Sequence, residues 1–249
     1  MTGSNVSQPS IRLWRIPLAV SEKYLDECRQ FVSSDEKLRA DRYRVPDARR
    51  RFLVCRRALR EILGRDLHVD PTLLTFGSNP WGKPFLERPQ EATLRFNVSH
   101  SGDWGIVALC SGAAIGVDIE VHQSLTDSST MFNTLFSEDE NQQLAPQNQE
   151  LKICYFYRHW VAKEAVGKAI GVGIGLGPHN IRIQVNSRTP DQFVGSVLSG
   201  PVLSESRGAW LDSPPGYSAA VAILTASEEE KDCPLEFVLD THNFETNVG

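Results

Sequence analysis

The sequence predicts a mixed α+β fold with two parts, each of which contains strands and helices. Short segments in which apolar and polar residues alternate, such as 11–16 and 115–120, are typical of half-buried strands. Longer segments with apolar residues at helical spacing, near 46–63 and 149–170, predict two long helices. Because strands and helices occur in similar proportions in both parts, we expect two α/β units, divided near residue 112 into 1–112 and 113–249.

The bulk composition is that of a globular protein. The chain has 249 residues, of which 41% are hydrophobic and 23% charged, and two domains of ordinary size fit this length. No apolar run is long enough to span a bilayer, so we expect no membrane association. The five cysteines form no CxxC pair and the N-terminus lacks a signal pattern, which favours reduced thiols and a cytoplasmic location.

The net charge of −5 hides a strong asymmetry along the chain. Residues 36–65 contain eleven Lys/Arg against four Asp/Glu, a net charge of +7. The segment 225–249 contains seven acidic residues against one Lys, a net charge of −6. A basic segment in an acidic protein suggests that an anionic ligand or partner docks locally.

The elements of the first half follow from local signals. A strand is expected at 11–16 and a helix at 22–31. Ser33 and Glu36 form a capping box that starts the next helix. Pro46 can open a third helix at its first turn, and Gly64 is expected to end it after Leu63. Short strands are expected near 95–98 and 105–109.

The second half is expected to begin with the strand at 115–120. Ser137 and Glu140 form a second capping box, and the long helix of 149–170 should end at Gly171. Further strands are expected near 181–185, 193–198, 217–224 and 235–239.

Two acidic residues share one face of the strand at 115–120. Asp118 and Glu120 are two residues apart, so their side chains point to the same side at a spacing of about 7 Å. Two neighbouring carboxylates among apolar residues repel each other unless a cation lies between them, and Mg²⁺ would meet this need. The alternative is an exposed strand face with two solvated acids.

Glu164 and Lys168 are four residues apart on the predicted helix of 149–170 and therefore lie on one face. They form either an ordinary surface pair or a functional one. In the functional pair, Glu164 is a third carboxylate for a cation, and Lys168, one turn later, is an ammonium group that can hold a phosphate oxygen.

Two shorter segments also contain polar groups suited to anions. Ser99 and His100 come at the end of a predicted strand, where hydroxyl, imidazole and turn amides can bind an anion. A structural histidine is the alternative, and no nucleophile-elbow pattern surrounds Ser99. Lys83 lies between Gly82 and Pro84 in a turn, as a solvated loop tip or as a positioned cation.

The arginines of the basic segment 36–65 are compatible with nucleic-acid binding or with a solvated helix face. The acidic pI of about 5.7 and the lack of an accompanying aromatic stacking platform argue against general nucleic-acid binding.

The four segments, taken in order, resemble a known family. Gly82-Lys83-Pro84, then Phe96 to Gly102, then Ile115 to Glu120, then Trp160 to Lys168 are similar to the 4′-phosphopantetheinyl transferases of the surfactin-synthetase-activating type. This resemblance covers about residues 80–175. It implies a monomeric pseudo-dimer of two similar α/β halves, with coenzyme A bound between them. Position 165 is Ala where several relatives have Ser.

The resemblance also implies roles for particular residues. Asp118, Glu120 and Glu164 match the acids associated with Mg²⁺, and Lys168 matches the lysine that contacts a coenzyme A phosphate. Expected cofactor-binding residues are Lys83, Ser99, His100 and, with a looser match for the 3′-phosphate, Lys37, Arg44, Arg50 and Arg57, of which Arg50 is favoured.

The implied reaction moves 4′-phosphopantetheine from coenzyme A to a serine of an acyl or peptidyl carrier protein and releases 3′,5′-ADP. The chemistry of the residues agrees: a cation on Asp118 and Glu120 would neutralise the pyrophosphate, Glu164 could take the serine proton, and Lys168 could stabilise the leaving phosphate. Glu164 as metal ligand and Glu164 as base stay open. A non-catalytic module that binds coenzyme A or a nucleotide is the alternative, and a phosphate-backbone binder using residues 36–65 is a third.

Overall fold

The computed structural model describes most of the chain. It covers residues 9–90, 94–124, 135–137, 140–141, 148–172, 177–198, 204–225 and 234–242. None of the helices in these ranges is long and apolar enough to cross a membrane.

The helices of the described residues are α1 (Glu22–Phe31), α2 (Ser34–Asp41), α3 (Pro46–Leu67) and α4 (Gln149–Ile170), with 3₁₀ turns at Pro71–Leu73 and Pro178–Asn180. Serine and asparagine side chains cap the starts of α1, α2 and α4, whereas α3 begins with Pro46 and has no side-chain cap. Both predicted capping boxes form: Ser33 with Glu36, and Ser137 with Glu140. Gly171 caps α4 in the left-handed conformation that glycine adopts without strain, as the sequence predicts.

The strands form two larger sheets and a small ribbon. The strands are β1 (Ser10–Pro17), β2 (Thr75–Ser78), β3 (Pro84–Arg88), β4 (Leu94–Ser101), β5 (Trp104–Ser111), β6 (Ile115–Val121), β7 (Ile181–Val185), β8 (Gln192–Val197), β9 (Glu205–Trp210), β10 (Tyr217–Leu224) and β11 (Val238–Thr241). The first sheet has the order β11-β1-β5-β4 and the second β6-β10-β9-β8-β7, while β2 pairs with β3.

Alternation along the strands produces four layers. In β5, Val107 and Leu109 face a core shared with α3, whereas Ile106 and Ala108 face the second sheet. On the far side of the second sheet, alanines of β10 pack against alanines of α4. The layers are therefore α3, first sheet, second sheet and α4. This mixed architecture confirms the predicted α+β class.

Three elements differ from the sequence-based expectation. Helix α3 continues past Gly64 to Leu67 and ends at His68, which has a φ of 54°. Gly64 is a glycine because a Cβ there would lie 2.6 Å from the Pro71 ring. The sequence did not predict β9, and the last strand lies a few residues later than expected, at Val238–Thr241, where it pairs in parallel with β1.

Candidate functional site

Strand β6 carries its acids on the face that is turned to α4. The residues of β6 that face α4 alternate with the core residues Val117 and Ile119. A Cβ on Gly116 would overlap the backbone of Ala165 and Ala169, so only glycine lets the helix lie this close. Asp118, two residues further along the strand, is consequently buried, with 2% of its surface exposed.

Strand β4 meets β6 through side chains, because each is an edge strand of its own sheet. The Ser99 hydroxyl donates to Oδ1 of Asp118 at 2.7 Å, and the Ser101 hydroxyl donates to Oε2 of Glu120 at 2.6 Å. Both predicted acids are thus held by serines from the other half of the chain.

Helix α4 places Lys168 above this pair of strands. Its Nζ donates to Oδ1 of Asp118 at 2.5 Å and to Oγ of Ser99 at 2.9 Å. Glu164 lies one turn earlier, and burial together with the charges of Asp118 and Glu120 raises its pKa to about 7 against the opposing effect of Lys168. The structure therefore brings together the predicted acids, Ser99 and Lys168.

The acids form an open arrangement rather than a closed metal cage. Among the described residues, no three His, Cys, Asp or Glu side chains are grouped closely enough to hold a metal ion by themselves. Oδ2 of Asp118 is buried without a hydrogen-bond partner, and burial and Asp118 raise the pKa of Glu120, against the hydrogen bond from Ser101, which lowers it. A donor set with excess negative charge and an unpaired buried oxygen fits a Mg²⁺ ion completed by ligand oxygens and water.

A basic cavity opens beside the acids, on the α3 side of β4. It measures about 150 Å³, and its lining includes Arg39, Arg56 and His100 with the rings of Tyr43 and Phe52. Nη1 of Arg56 is buried without a partner. The cavity lining contains no acidic residue, which suits an anion.

A larger cavity of about 300 Å³ adjoins the basic one and shares Arg39, Arg56 and Pro84 with it. Its inner wall contains an ion pair in which Nε of Arg60 donates to Oε2 of Glu36 at 2.9 Å. Residues of β2 and β3 form another wall. The described residues that line both cavities belong to the first half alone, and His100 of β4 lies between the basic cavity and the acids.

His100 lies between the basic cavity and the acids. Burial lowers its pKa, and Arg51 and Lys168 lower it further. Arg51 also acts on the pKa of Glu120, so this arginine lies near both. The structure thus adds Arg39, Arg51 and Arg56 to the candidate residues. The spacing of Phe52, Arg56 and Arg60 by four residues was the available signal for Arg56, since it puts them on one helix face.

The other predicted cations lie elsewhere. Arg57 bonds Oε1 of Glu61 at 2.7 Å and stacks on Tyr24, against α1. Arg50 pairs with Asp47 at 3.2 Å and with Asp103 at 3.8 Å. Lys37 is half-buried and Arg44 is exposed, and neither lines the two cavities.

Lys83 joins the two halves. Its Nζ donates to the carbonyl oxygens of Ile115 and Ala169, at 3.0 and 3.1 Å. The neighbouring Asn79 donates from Nδ2 to the carbonyl of Gly171 at 2.8 Å. The β2–β3 turn therefore binds the end of α4. Lys83 is held in place by these hydrogen bonds rather than solvated.

Comparison with known protein families gives two adjacent matches. The family described as "4'-phosphopantetheinyl transferase superfamily" matches residues 114–222, and the one described as "4'-phosphopantetheinyl transferase, N-terminal" matches residues 19–112.

Individual proteins are similar over the same region. The 4′-phosphopantetheinyl transferase HetI of Nostoc sp. is 39% identical over 165 residues, which cover 66% of this chain and 70% of that protein. Sfp of Bacillus subtilis is 28% identical over 157 residues, covering 63% and 68%. A holo-(acyl-carrier-protein) synthase of Bacillus anthracis, solved with CoA (3′,5′-ADP), is similar in structure with a TM-score of 0.39 and 18% identity, over 46% of this chain and 98% of that one.

Proposed function

The chain belongs to the 4′-phosphopantetheinyl transferase family, and we propose that it moves 4′-phosphopantetheine from coenzyme A to a serine of an apo carrier protein, releasing 3′,5′-ADP. The observation that carries this function is the meeting of Asp118, Glu120, Glu164 and Lys168 on the other side of β4 from a basic cavity, with His100 between them. Acids and a lysine near an anion cavity suit phosphoryl transfer, which depends on positioning and charge stabilisation.

Coenzyme A carries a 3′-phosphate and a pyrophosphate, and the site offers a place for each. We assign the 3′-phosphate to the basic cavity, supported by Arg39, by the unpartnered Nη1 of Arg56 and by His100. The pyrophosphate then lies over Ser99 and Lys168. The larger adjoining cavity is left for the adenosine. In this assignment Arg57 supports α1 and α3, and Arg50 pairs with Asp47 and Asp103 outside the two cavities.

Asp118 and Glu120, with Glu164, would hold a Mg²⁺ ion in this function. Such an ion neutralises the pyrophosphate charge when it is bound. The assignment is supported by the raised pKa values of Glu120 and Glu164 and by the buried, unpartnered Oδ2 of Asp118. Two or three carboxylates completed by phosphate oxygens and water are a usual Mg²⁺ environment.

Glu164 and Lys168 are assigned to the attacking and the leaving groups. Glu164, directly or through a water molecule, accepts the proton of the acceptor serine. Lys168, one turn further along α4, stabilises the negative charge that develops on the leaving phosphate. Its hydrogen bonds to Asp118 and Ser99 hold its ammonium group at the required place.

The finer classification is also proposed. The basic cavity belongs to 1–112 and the acids with Lys168 belong to 113–249, so one chain supplies both parts of the site, which supports a monomer of the longer, surfactin-synthetase-activating type. Cys28, Cys55, Cys110 and Cys154 are free thiols, and Cys233 lies outside the described residues. These thiols are consistent with a reducing cytoplasm. Carriers of fatty-acid, polyketide or peptide synthesis are the candidate partners.

The test is to incubate the protein with coenzyme A, Mg²⁺ and a panel of apo carriers, and to weigh each carrier by mass spectrometry. We expect at least one carrier to gain one phosphopantetheine group, and 3′,5′-ADP to appear in equal amount. Glu164→Gln is the matched inactive control. Coenzyme A binding without any carrier modification would instead support the non-catalytic binding module.

A further inference from the structure

The row of polar side chains between β6 and α4 continues beyond the acids. His122 follows Glu120 by two residues and lies on the same side, because its Nε2 is 2.8 Å from the hydroxyl of Ser218, the β10 residue opposite Glu120. The His122 ring stacks on Tyr157 of α4, with ring centroids 4.9 Å apart. The hydroxyl of Tyr157 accepts a hydrogen bond from the backbone N–H of Gln123.

Helix α4 therefore presents three groups in a fixed order along the row. Lys168 bonds Ser99 at the end next to the basic cavity, and Glu164 follows about 6 Å along the helix axis. Tyr157 comes about 10 Å further, at the end away from the cavity. In the proposed function, these positions hold the leaving phosphate, the proton acceptor and a third, unassigned contact.

The geometry of in-line phosphoryl transfer indicates which molecule reaches the third position, at Tyr157. The attacking and leaving oxygens lie on opposite sides of the phosphorus, whereas the pantetheine chain is attached at its side. In the proposed function, 3′,5′-ADP leaves on the side of the basic cavity. The attacking serine approaches from the other side of the phosphorus, and away from the cavity the row continues to His122 and Tyr157, neither of which lines the two cavities.

We propose, on the basis of the proposed function, that the stacked pair His122–Tyr157 contacts the carrier protein beside its acceptor serine and accepts an uncharged, apolar side chain there. The pair offers a half-exposed imidazole over a ring whose hydroxyl is already bonded. An acidic side chain at this place would face Glu120 and Glu164.

The test compares the two substrates of wild-type protein and of His122→Ala. We expect KM for the apo carrier to rise roughly tenfold, as for a contact residue in an interface, with KM for coenzyme A and Kd for 3′,5′-ADP within about twofold of wild type. His122→Phe keeps an apolar stacked ring and should retain most of the carrier affinity. His179→Ala, an exposed histidine outside the row, is the matched control.

A rise in KM for coenzyme A instead of the carrier would assign the pair to the pantetheine chain and overturn the proposal. Unchanged constants in both variants would overturn it as well. Replacing the carrier residues before and after the serine by Ala, in wild-type protein and in His122→Ala, should show non-additive effects at one position. Additive effects at both positions contradict the contact. If wild-type protein modifies no carrier, the proposed function itself fails, which is a separate result.

Discussion

Lys168 and Asp118 form an ion pair that joins helix α4 to strand β6, with Nζ 2.5 Å from Oδ1. The carboxylate is almost fully buried, whereas the lysine side chain is 24% exposed. The sequence pairs Lys168 with Glu164 by their helical spacing, but in the fold the ammonium group points to the strand. Burial and the charges of two further acids, Asp118 and Glu120, raise the pKa of Glu164, although Lys168 still lowers it.

Replacing Lys168 by Gln should slow carrier modification about 100-fold, because one preorganised donor to the leaving phosphate is lost. Steady-state formation of holo carrier measures the effect. Lys152→Gln, near the start of the same helix, should leave the rate unchanged. A Lys168→Gln protein with the full wild-type rate would remove Lys168 from the reaction.

Replacing Arg39 by Ala should raise KM for coenzyme A roughly tenfold, since a charge-assisted contact to the 3′-phosphate disappears. With 3′-dephospho-coenzyme A as substrate, wild type and variant should have similar KM values. Arg57→Ala is the matched control, because that arginine pairs with Glu61 away from the cavity. Equal losses with both substrates would place the 3′-phosphate elsewhere.

Replacing Gly116 by Ala should lower the free energy of unfolding by about 1–3 kcal/mol, because the new methyl group overlaps the backbone of α4 at Ala165 and Ala169. Urea unfolding measures the change. Gly82→Ala is a useful comparison, because nothing lies within 4 Å of its Cβ position and only its φ of 85° opposes the substitution. A Gly116→Ala loss no larger than that of Gly82→Ala would show that α4 can move away at little cost.

Acid should destabilise the protein partly through His159. Burial lowers the pKa of this histidine to about 4, although the Tyr155 carbonyl and Glu140 act in the opposite direction, while Lys163 and Arg158 lower it further. The unfolded chain therefore takes up a proton as the pH falls below about 6.5, whereas the folded chain does so only near pH 4. The contribution of the neutral His159 to the free energy of unfolding is complete above pH 6.5 and is lost as the pH falls through 4.

Urea titrations at pH 7 and pH 4.5 should show this loss as about 2 kcal/mol in wild type. The loss should shrink in His159→Gln and persist in His179→Gln, whose histidine is exposed. The same loss in all three proteins would assign the acid sensitivity to other groups.

Local signals predicted elements where the determinants lie within a few residues. The box of Ser33 and Glu36 and the cap at Gly171 form as expected, because a cap needs only neighbouring backbone groups. The prediction that α3 ends at Gly64 was wrong, because the glycine is required by a tertiary contact with Pro71. Strand β9 was missed, because five of its six residues are buried and little alternation is left to see.

The candidate site likewise contains residues that the sequence identified and residues that only the fold identified. Motif order was enough to select Asp118, Glu120, Glu164, Lys168, Ser99 and His100, and the fold brings the acids, Ser99 and Lys168 together. The sequence shows that the segment 36–65 is basic, but it does not show which of its arginines face the cavity. Arg57 turns to α1 and Arg56 to the cavity, and these neighbours differ only by the 100° that one residue turns a helix.

By itself, the sequence determined the fold class, the caps, the shared face of Asp118 and Glu120 and the family resemblance, because these depend on periodicity and motif order along the chain. Only the tertiary structure decided which arginines line the cavity, that Lys168 pairs with Asp118, and that Lys83 holds the end of α4. Those contacts join groups far apart in the chain, so they form only when the fold packs the elements together, as Gly116 allows α4 to lie close to β6.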